Sequence, residues 1–339
     1  MNRRLCLARR PAGKLSVTDL ALIEEPVPEP GPGEILVRNT WLSIDPSLRI
    51  RLAETTPDGY LPALRPGEGL TGLALGVVAE TRHPDYTVGE LVSHTLGYRE
   101  YAVVGAGAQT IGGYGAPTWI ETGDLPPQWF LGPLGSAGLT AYVGLVEILE
   151  LTAADTLWVS SAAGSVGSLA AQLAVLRGAT VLGSAGSPDK VAYLRDELGI
   201  AAFDYHEPAL AESLAALAPT GIDAYFDNVG GDHLTAALDA LRPQGRIALC
   251  GAVSGYDGAA PAGPPNLFTM VAKGLRMRGF RAGSFNHLEA PMRAEVGAHL
   301  AAGRLVHRES VFEGIEQAAA ALVAMLSGAT TGKTLCHLA

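Results

Sequence analysis

The chain has 339 residues, 48% of them hydrophobic, which is enough to build two domains with ordinary buried cores. Its formal net charge is -10, from 34 acidic against 24 basic residues, and no basic cluster is longer than a pair such as Arg9-Arg10, so nucleic acid is excluded as an expected partner. The opening Met1 to Leu7 lacks the apolar stretch of a signal peptide, and no window approaches the ~20 apolar residues of a membrane span, so a cytoplasmic protein is expected.

Up to about residue 125, short β-type runs alternate with Gly/Pro turns: Glu34 to Arg38, Leu73 to Ala79 and Glu90 to Ser93. This spacing predicts a β-rich, barrel-like domain over 1–127. From about Pro133 onward, strand and helix patterns alternate as in parallel βαβ units. Thr156 to Ser160 is an apolar run ending in small residues, and Ser168 to Arg177 after it reads as a helix with an apolar face. Ala179 to Gly183 is the next strand, Pro188 to Leu198 the next helix, and Ala202 to Asp204 a short strand. Ala224 to Asn228, Arg246 to Cys250 and Leu275 to Phe280 bring the strands to six, the number of a doubly wound Rossmann sheet, over 128–300. The β run Leu305 to Phe312 and the alanine-rich helix Gly314 to Leu326 do not extend that set. Residues 301–339 are therefore expected to return to the β-rich domain.

Cys6, Cys250 and Cys336 lie far apart, which is no disulfide framework and suits a reducing compartment. None of the eight histidines stands near a cysteine at zinc-site spacing, and no His-Glu-x-x-His run occurs, so no metal site is expected.

Directly after the first parallel strand comes Ala162-Ala163-Gly164-Ser165-Val166-Gly167, a G-x-G-x-x-G-type turn with Ala in the first place. Gly164 lets backbone approach a pyrophosphate, Gly167 lets helix pack closely on strand, and the helix N-terminus offers free N–H groups to phosphate. A tight turn with no ligand would use the same glycines. The preceding strand, the following helix and a second strand ending about twenty residues on are the context in which the motif marks a dinucleotide site. At the end of that second strand stand Ser184-Ala185-Gly186-Ser187, without the carboxylate that would hold the ribose hydroxyls of NAD. With Lys190 one helical turn further, the site favours NADPH. Ser187-Pro188 is at the same time a helix N-cap followed by proline at the first helical position.

Several motifs in order then carry a family likeness: Trp41 to Arg49, Gly138 to Tyr142, Ala162 to Gly167, Phe226 to Gly231, Gly245 to Ala252 and Gly332 to Thr334. On them the chain resembles the medium-chain dehydrogenase/reductase superfamily, and within it the zinc-free branch of prostaglandin reductases and alkenal double-bond reductases. The resemblance implies a GroES-like catalytic domain beside the Rossmann domain, NADPH as cofactor, and a homodimer joined along the edge of the Rossmann sheet. It implies that Ala163, Gly164, Ser165 and Val166 lie on the pyrophosphate with Gly167 closing the turn. Lys190 would hold the 2′-phosphate, Tyr205 would lie by the adenosine end and Asn228 near the strand ends. Cys250 to Tyr256, Gly251 included, would line the nicotinamide side, with Phe280 on the opposite wall.

Zinc-dependent members place a Cys ahead of an Asp and later a Gly-His-Glu, where this chain reads Ser43-Ile44-Asp45 and Gly67-Glu68-Gly69. The branch's Asp-Pro-Tyr-Met-Arg appears as Asp45-Pro46-Ser47-Leu48-Arg49, and a tyrosine of some members is replaced within Ala260 to Pro265. Its Gly-x-Asn-x-Gly-Lys ending has Thr330 in the amide position, which substitutes a hydroxyl for an amide contact to cofactor.

The reaction implied is hydride addition to the β-carbon of an α,β-unsaturated aldehyde or ketone, with negative charge developing on the carbonyl oxygen. Tyr256, just past the fifth strand at the ligand-binding edge of the sheet, is the first candidate to donate a hydrogen bond there. Tyr60, between Gly59 and Leu61, is the second, as lid or substrate contact. Thr140 and Tyr142 read equally as helix packing and as nicotinamide contacts, and Asp45 with Arg49 as a structural turn and ion pair. Two rival readings share the fold: an NADPH:quinone reductase, and a non-catalytic NADPH-binding sensor or structural protein.

Overall fold

The computed structural model describes residues 1–105, 116–206, 210–258 and 263–338. It divides into two compact units, 1–132 with 309–339, and 133–308. Of the proline-rich stretch Ala260 to Pro265, residues 260–262 lie outside the described residues.

The first unit opens with an antiparallel pair, β1 (Asn2–Leu7) and β2 (Leu20–Glu25), in a sheet of its own. Then β3 (Glu34–Ser43) runs ten residues and leads into the one-turn helix α1 (Leu48–Arg51). Strands β4 (Ala74–Thr81), β5 (Leu91–His94), β6 (Tyr101–Gly105) and β7 (Thr118–Trp119) follow. β3 pairs antiparallel with both β4 and β6. Their β-branched residues Ile35, Val37, Val78, Val92 and Val104 pack into one buried cluster, as alternating strands with one wet face do. Gly76 is required there, because a Cβ would stand 2.5 Å from the Arg38 carbonyl oxygen. Inside this sheet His94 is buried against Asn39, its Nε2 2.7 Å from the amide oxygen.

The second unit begins with α2 (Ser136–Val143) and alternates strand and helix from there. Its order is β8 (Thr156–Val159), α3 (Ser165–Leu176), β9 (Thr180–Ala185), α4 (Pro188–Ala192), β10 (Ala201–Asp204), α5 (Leu210–Leu217) and β11 (Ile222–Asp227). It continues through α6 (Gly231–Ala240), β12 (Leu241–Leu249), α7 (Thr269–Lys273), β13 (Arg276–Gly279) and α8 (Glu289–Ala301). All neighbouring strands are parallel, in the order β10-β9-β8-β11-β12-β13. The chain thus winds outward from β8 in one direction and from β11 in the other, which leaves a switch point between them at the carboxyl edge. Trp158 of β8 stacks on Tyr225 of β11 with centroids 4.4 Å apart, both fully buried, a pair that contributes about 0.5–1.5 kcal/mol beyond its area.

The chain then returns through β14 (Glu309–Glu313), α9 (Ala318–Leu326) and β15 (Lys333–His337). β15 lies between β14 and β3, completing a seven-stranded mixed sheet in the first unit. The run read as Leu305 to Phe312 is split. Val306 exchanges two hydrogen bonds with the Gln172 amide of α3, so 305–308 stays with the parallel sheet, and the strand starts at Glu309. That contact moves the return from 300/301 to 308/309, and the first crossing lies at 132/133, against 127/128 read from the sequence. Among the described residues no helix is long and apolar enough to cross a membrane.

Candidate functional site

β8 ends at Val159, and Ser161 takes a left-handed backbone, φ 50°, that turns the chain toward α3. Gly164 is the helix N-cap in extended conformation, with no side chain capping the first turn. A Cβ at Gly167 would fall 2.2 Å from the Ser161 carbonyl oxygen and 2.9 Å from Ala162 Cα, so the helix sits on the turn only because Gly167 has no side chain. Ala163 is buried, and Ser165 Oγ is buried without a hydrogen-bond partner among the described residues. An open ring of N–H groups beside an unsatisfied hydroxyl is the arrangement that accepts an anion's oxygens.

At the end of β9 the backbone of Gly186 is covered by Tyr205: a Cβ there would meet the phenol oxygen at 2.7 Å. Ser187 caps α4 by accepting from the Lys190 N–H at 3.4 Å, which puts the Lys190 side chain in the first turn beside that edge. Half-burial lowers the Lys190 ammonium pKa from its ordinary value. Asp204, which ends β10, is bound into its own turn, Oδ1 accepting from His206 N at 3.0 Å.

Across the switch point, Asn228 is lashed to the end of β8. Its backbone N–H donates to Ser160 Oγ at 3.0 Å and its Nδ2 to the Ser160 carbonyl at 2.7 Å. Asp227, fully buried, accepts on Oδ1 from Tyr225 Oη (2.8 Å), Val229 N (2.9 Å) and Gly230 N (2.8 Å). Burial raises its pKa, while the hydrogen bonds from Gly230, Tyr225 and Val229 act in the opposite direction. Its carbonyl takes the N–H groups of Cys250 and Gly251 at 2.9 and 3.1 Å. Burial pushes the Cys250 thiol up to about 12, so it is no nucleophile at neutral pH. Tyr256 folds back over Gly251, its hydroxyl oxygen accepting from Ala252 N–H at 3.3 Å. Phe280 follows β13 and stands edge-on to Phe226, with centroids 6.3 Å apart.

The carboxyl edge of one sheet thus gathers Ala163 to Gly167, Lys190, Tyr205, Asn228, Cys250, Gly251, Tyr256 and Phe280. Tyr142 is covered by the Arg177 guanidinium at 5.2 Å and Thr140 bonds its own helix at Ser136 O, so both are used in packing. Tyr60 and Thr330 belong to the first unit, Tyr60 in the turn closed by its N–H to Pro57 O and Thr330 accepting from the Thr334 hydroxyl at 2.9 Å.

Two clusters escaped sequence reasoning. One is the Ser160–Asp227 network, whose only signal is an acid ending an apolar strand ahead of Asn-Val-Gly-Gly. The other is Lys333, 1% exposed, with Nζ bonded to Ser43 Oγ (2.6 Å) and paired with Asp45 (2.7 Å). Asp45 therefore has Lys333 as an ion partner that the reading with Arg49 did not include, and Arg49 donates to the Gly13 carbonyl at 2.7 Å.

Residues 3–111 match the family model described as the N-terminal domain of oxidoreductase, and 165–296 the one described as zinc-binding dehydrogenase. The 2-alkenal reductase (NADP(+)-dependent) of Nicotiana tabacum is 36% identical over 98% of this chain and 96% of its own. The chain belongs to the medium-chain dehydrogenase/reductase family. A second member, the NADPH-dependent curcumin reductase of Escherichia coli, is 34% identical over 100% of this chain and 97% of its own. A solved member, CurA from Vibrio vulnificus in complex with NADPH, superposes with a TM-score of 0.91 at 32% identity, covering 99% of both chains. The two units are accordingly the GroES-like and Rossmann domains of that family, and the protein is an oxidoreductase.

Proposed function

We propose that the protein uses NADPH to reduce the carbon–carbon double bond of α,β-unsaturated aldehydes or ketones, without zinc. The observation that carries the reading is the edge at the β8/β11 switch point, where a glycine turn, the unsatisfied Ser165 hydroxyl and Lys190 stand together. The relatives' names supply the substrate class.

The residues fit the cofactor. The first-turn N–H groups of α3 and Ser165 hold the pyrophosphate, with Ala163, Gly164 and Val166 presenting backbone and Gly167 allowing the close packing. Lys190 pairs with the 2′-phosphate and Tyr205 flanks the adenosine end, at a strand end that carries Gly186 and Ser187 instead of a carboxylate. Asn228, Cys250, Gly251 and Phe280 border the nicotinamide end, and Thr330 is the hydroxyl counterpart of an amide contact. When bound, NADPH supplies the hydride that reaches the substrate's β-carbon. As charge moves onto the carbonyl oxygen, the Tyr256 hydroxyl donates a hydrogen bond to it, strengthened by the bond it accepts from Ala252. Solvent provides the proton for the α-carbon, and Tyr60 is the second candidate substrate contact.

Independence from zinc is supported at Ser43 and Asp45. Both are engaged by the Lys333 ammonium, so a cation already occupies the place a dication would need. A small-molecule carbonyl partner, a cytoplasmic location and a homodimer along β13, one of the two edge strands of the parallel sheet, complete the reading. Steady-state oxidation of NADPH and NADH with an enal, an enone and a quinone, with and without a chelator, tests it. Chelator-insensitive, NADPH-preferring turnover of the enal and enone is expected. Turnover of the quinone alone would make the protein a quinone reductase, and binding of NADPH without any turnover a sensor.

A further inference from the structure

We propose that Asp227 is a positioning residue for this reaction, a buried carboxylate that holds the two loops carrying Asn228 and Tyr256 in their working places; the inference rests on the function proposed above. Each link is a hydrogen bond. Oδ1 accepts from the N–H groups of Val229 and Gly230 and so fixes the turn after β11, where Gly230 and Gly231 adopt φ 70° and 53°. The Tyr225 hydroxyl donates to the same oxygen at 2.8 Å from inside the core, which anchors the carboxylate to β11 itself. Ser160 Oγ, 3.5 Å from Oδ1, accepts the backbone N–H of Asn228, so the amide that spans the switch point is tied to the same group.

The second loop is stitched to the first. Val253 N and Ser254 N donate to the carbonyls of Asn228 and Val229 at 3.2 Å, and Ser254 Oγ adds a bond to Val229 O at 2.6 Å. Tyr256 closes the turn Val253–Gly255 of that loop. A displacement of the turn at 228–230 is therefore passed to the phenol through three hydrogen bonds, while the glycine turn at Gly164 and the Lys190 edge make none with Asp227.

The other carboxylate oxygen, Oδ2, is buried without a donor among the described residues, and Asp227 borders a cavity of about 360 Å³ with Gly230, Leu234, Cys250 and Pro264. An asparagine therefore fits. Its oxygen takes the Oδ1 place and its NH₂ the Oδ2 place, where no donor opposes it.

Asp227→Ala, Asp227→Asn and Ser160→Ala, each in the full chain, test the inference. Asp227→Ala is expected to lower kcat at least ~30-fold while KM for NADPH changes less than ~5-fold, because several hydrogen bonds are lost at the loops and none at the pyrophosphate turn. Asp227→Asn should recover most of that loss, and Ser160→Ala should show a smaller fall of the same kind. The fluorescence of bound NADPH, recorded without substrate, should differ between wild type and Asp227→Ala, a readout that survives even if enals and enones are not the substrates. A kcat within two-fold of wild type in both Asp227 variants would overturn the proposal. So would losses in kcat and NADPH affinity that only follow the fall in thermal midpoint, with no recovery by Asn.

Discussion

At the scale of single residues, Lys190 is the cation of the proposed cofactor edge. Lys190 is held in the first turn of α4 by the Ser187 cap, next to Asp189, and the end of β9 itself reads Ser184-Ala185-Gly186-Ser187, without a carboxylate. A charge-assisted hydrogen bond to phosphate contributes about 1.5–3 kcal/mol. Lys190→Ala is therefore expected to raise KM for NADPH by ~10–100-fold, with KM for NADH changed less than about three-fold and kcat nearly constant. Equal losses for both cofactors in steady-state assays would show that Lys190 does not read the 2′-phosphate. Lys190 and the glycine turn were legible because everything that defines them lies within a few positions in sequence. Asp227 has Tyr225, Val229 and Gly230 within three positions, but Ser160 stands 67 positions from it and Ser43 290 positions from Lys333, so the far side of both clusters was not legible. No local pattern announces such a partner.

Among the elements, the central parallel strands β8 and β11 were readable because burial on both faces makes them nearly continuous apolar runs, and β5 because its buried residues alternate. The β1–β2 pair was not, as Asn2–Leu7 carries two arginines whose charges are answered by Glu25 and Glu100 far along the chain. The helix read from Ser168 begins at Ser165, since the N-cap is a glycine and gives no side-chain signal. Two elements also carry buried histidines with a consequence for stability. In β5, His94 Nε2–H faces Asn39 Oδ1 at 2.7 Å and Nδ1 accepts from Leu96 N–H at 3.1 Å, which is the neutral ring. Burial, helped by Arg99, pulls its pKa down to about 3; in α6, burial pulls that of His233, stacked on Trp158, to about 4. The unfolded chain binds these protons below pH ~6.5, and the native state does not until much lower pH. Their contribution is therefore complete above pH ~6.5 and is lost as the pH falls toward those values, at up to ~1.4 kcal/mol per pH unit for each ring. Urea unfolding at pH 7, 6 and 5 should show this loss, and His94→Gln should flatten the slope by about one histidine's share. An unchanged slope would mean His94 titrates normally in the folded protein.

For the whole molecule, the change in texture near Pro133 already separated a β-rich half from a doubly wound one, and the return of the C-terminus followed from strands beyond the sixth. The exact crossing did not, because Leu305 to Phe312 reads as one short β run whose two ends bond to different units. The outer surface carries a further expectation. β13 is one of the two edges of the parallel sheet, and in the segment that precedes it in sequence Phe268 is 76% and Val271 72% exposed, large apolar side chains of the kind that mark association. Light scattering at micromolar concentration should give twice the chain mass, and Phe268→Glu with Val271→Glu should halve it without loss of secondary structure. A wild-type monomer would leave those two side chains to another partner.

The central claim concerns where the hydride goes. Reduction of an enone with NADPH deuterated at the transferable position, followed by NMR of the product, is the direct test. The structure and the relatives together predict a saturated ketone labelled at the β-carbon. Deuterium on the carbonyl carbon of an allylic alcohol would contradict the account and make the protein a carbonyl reductase.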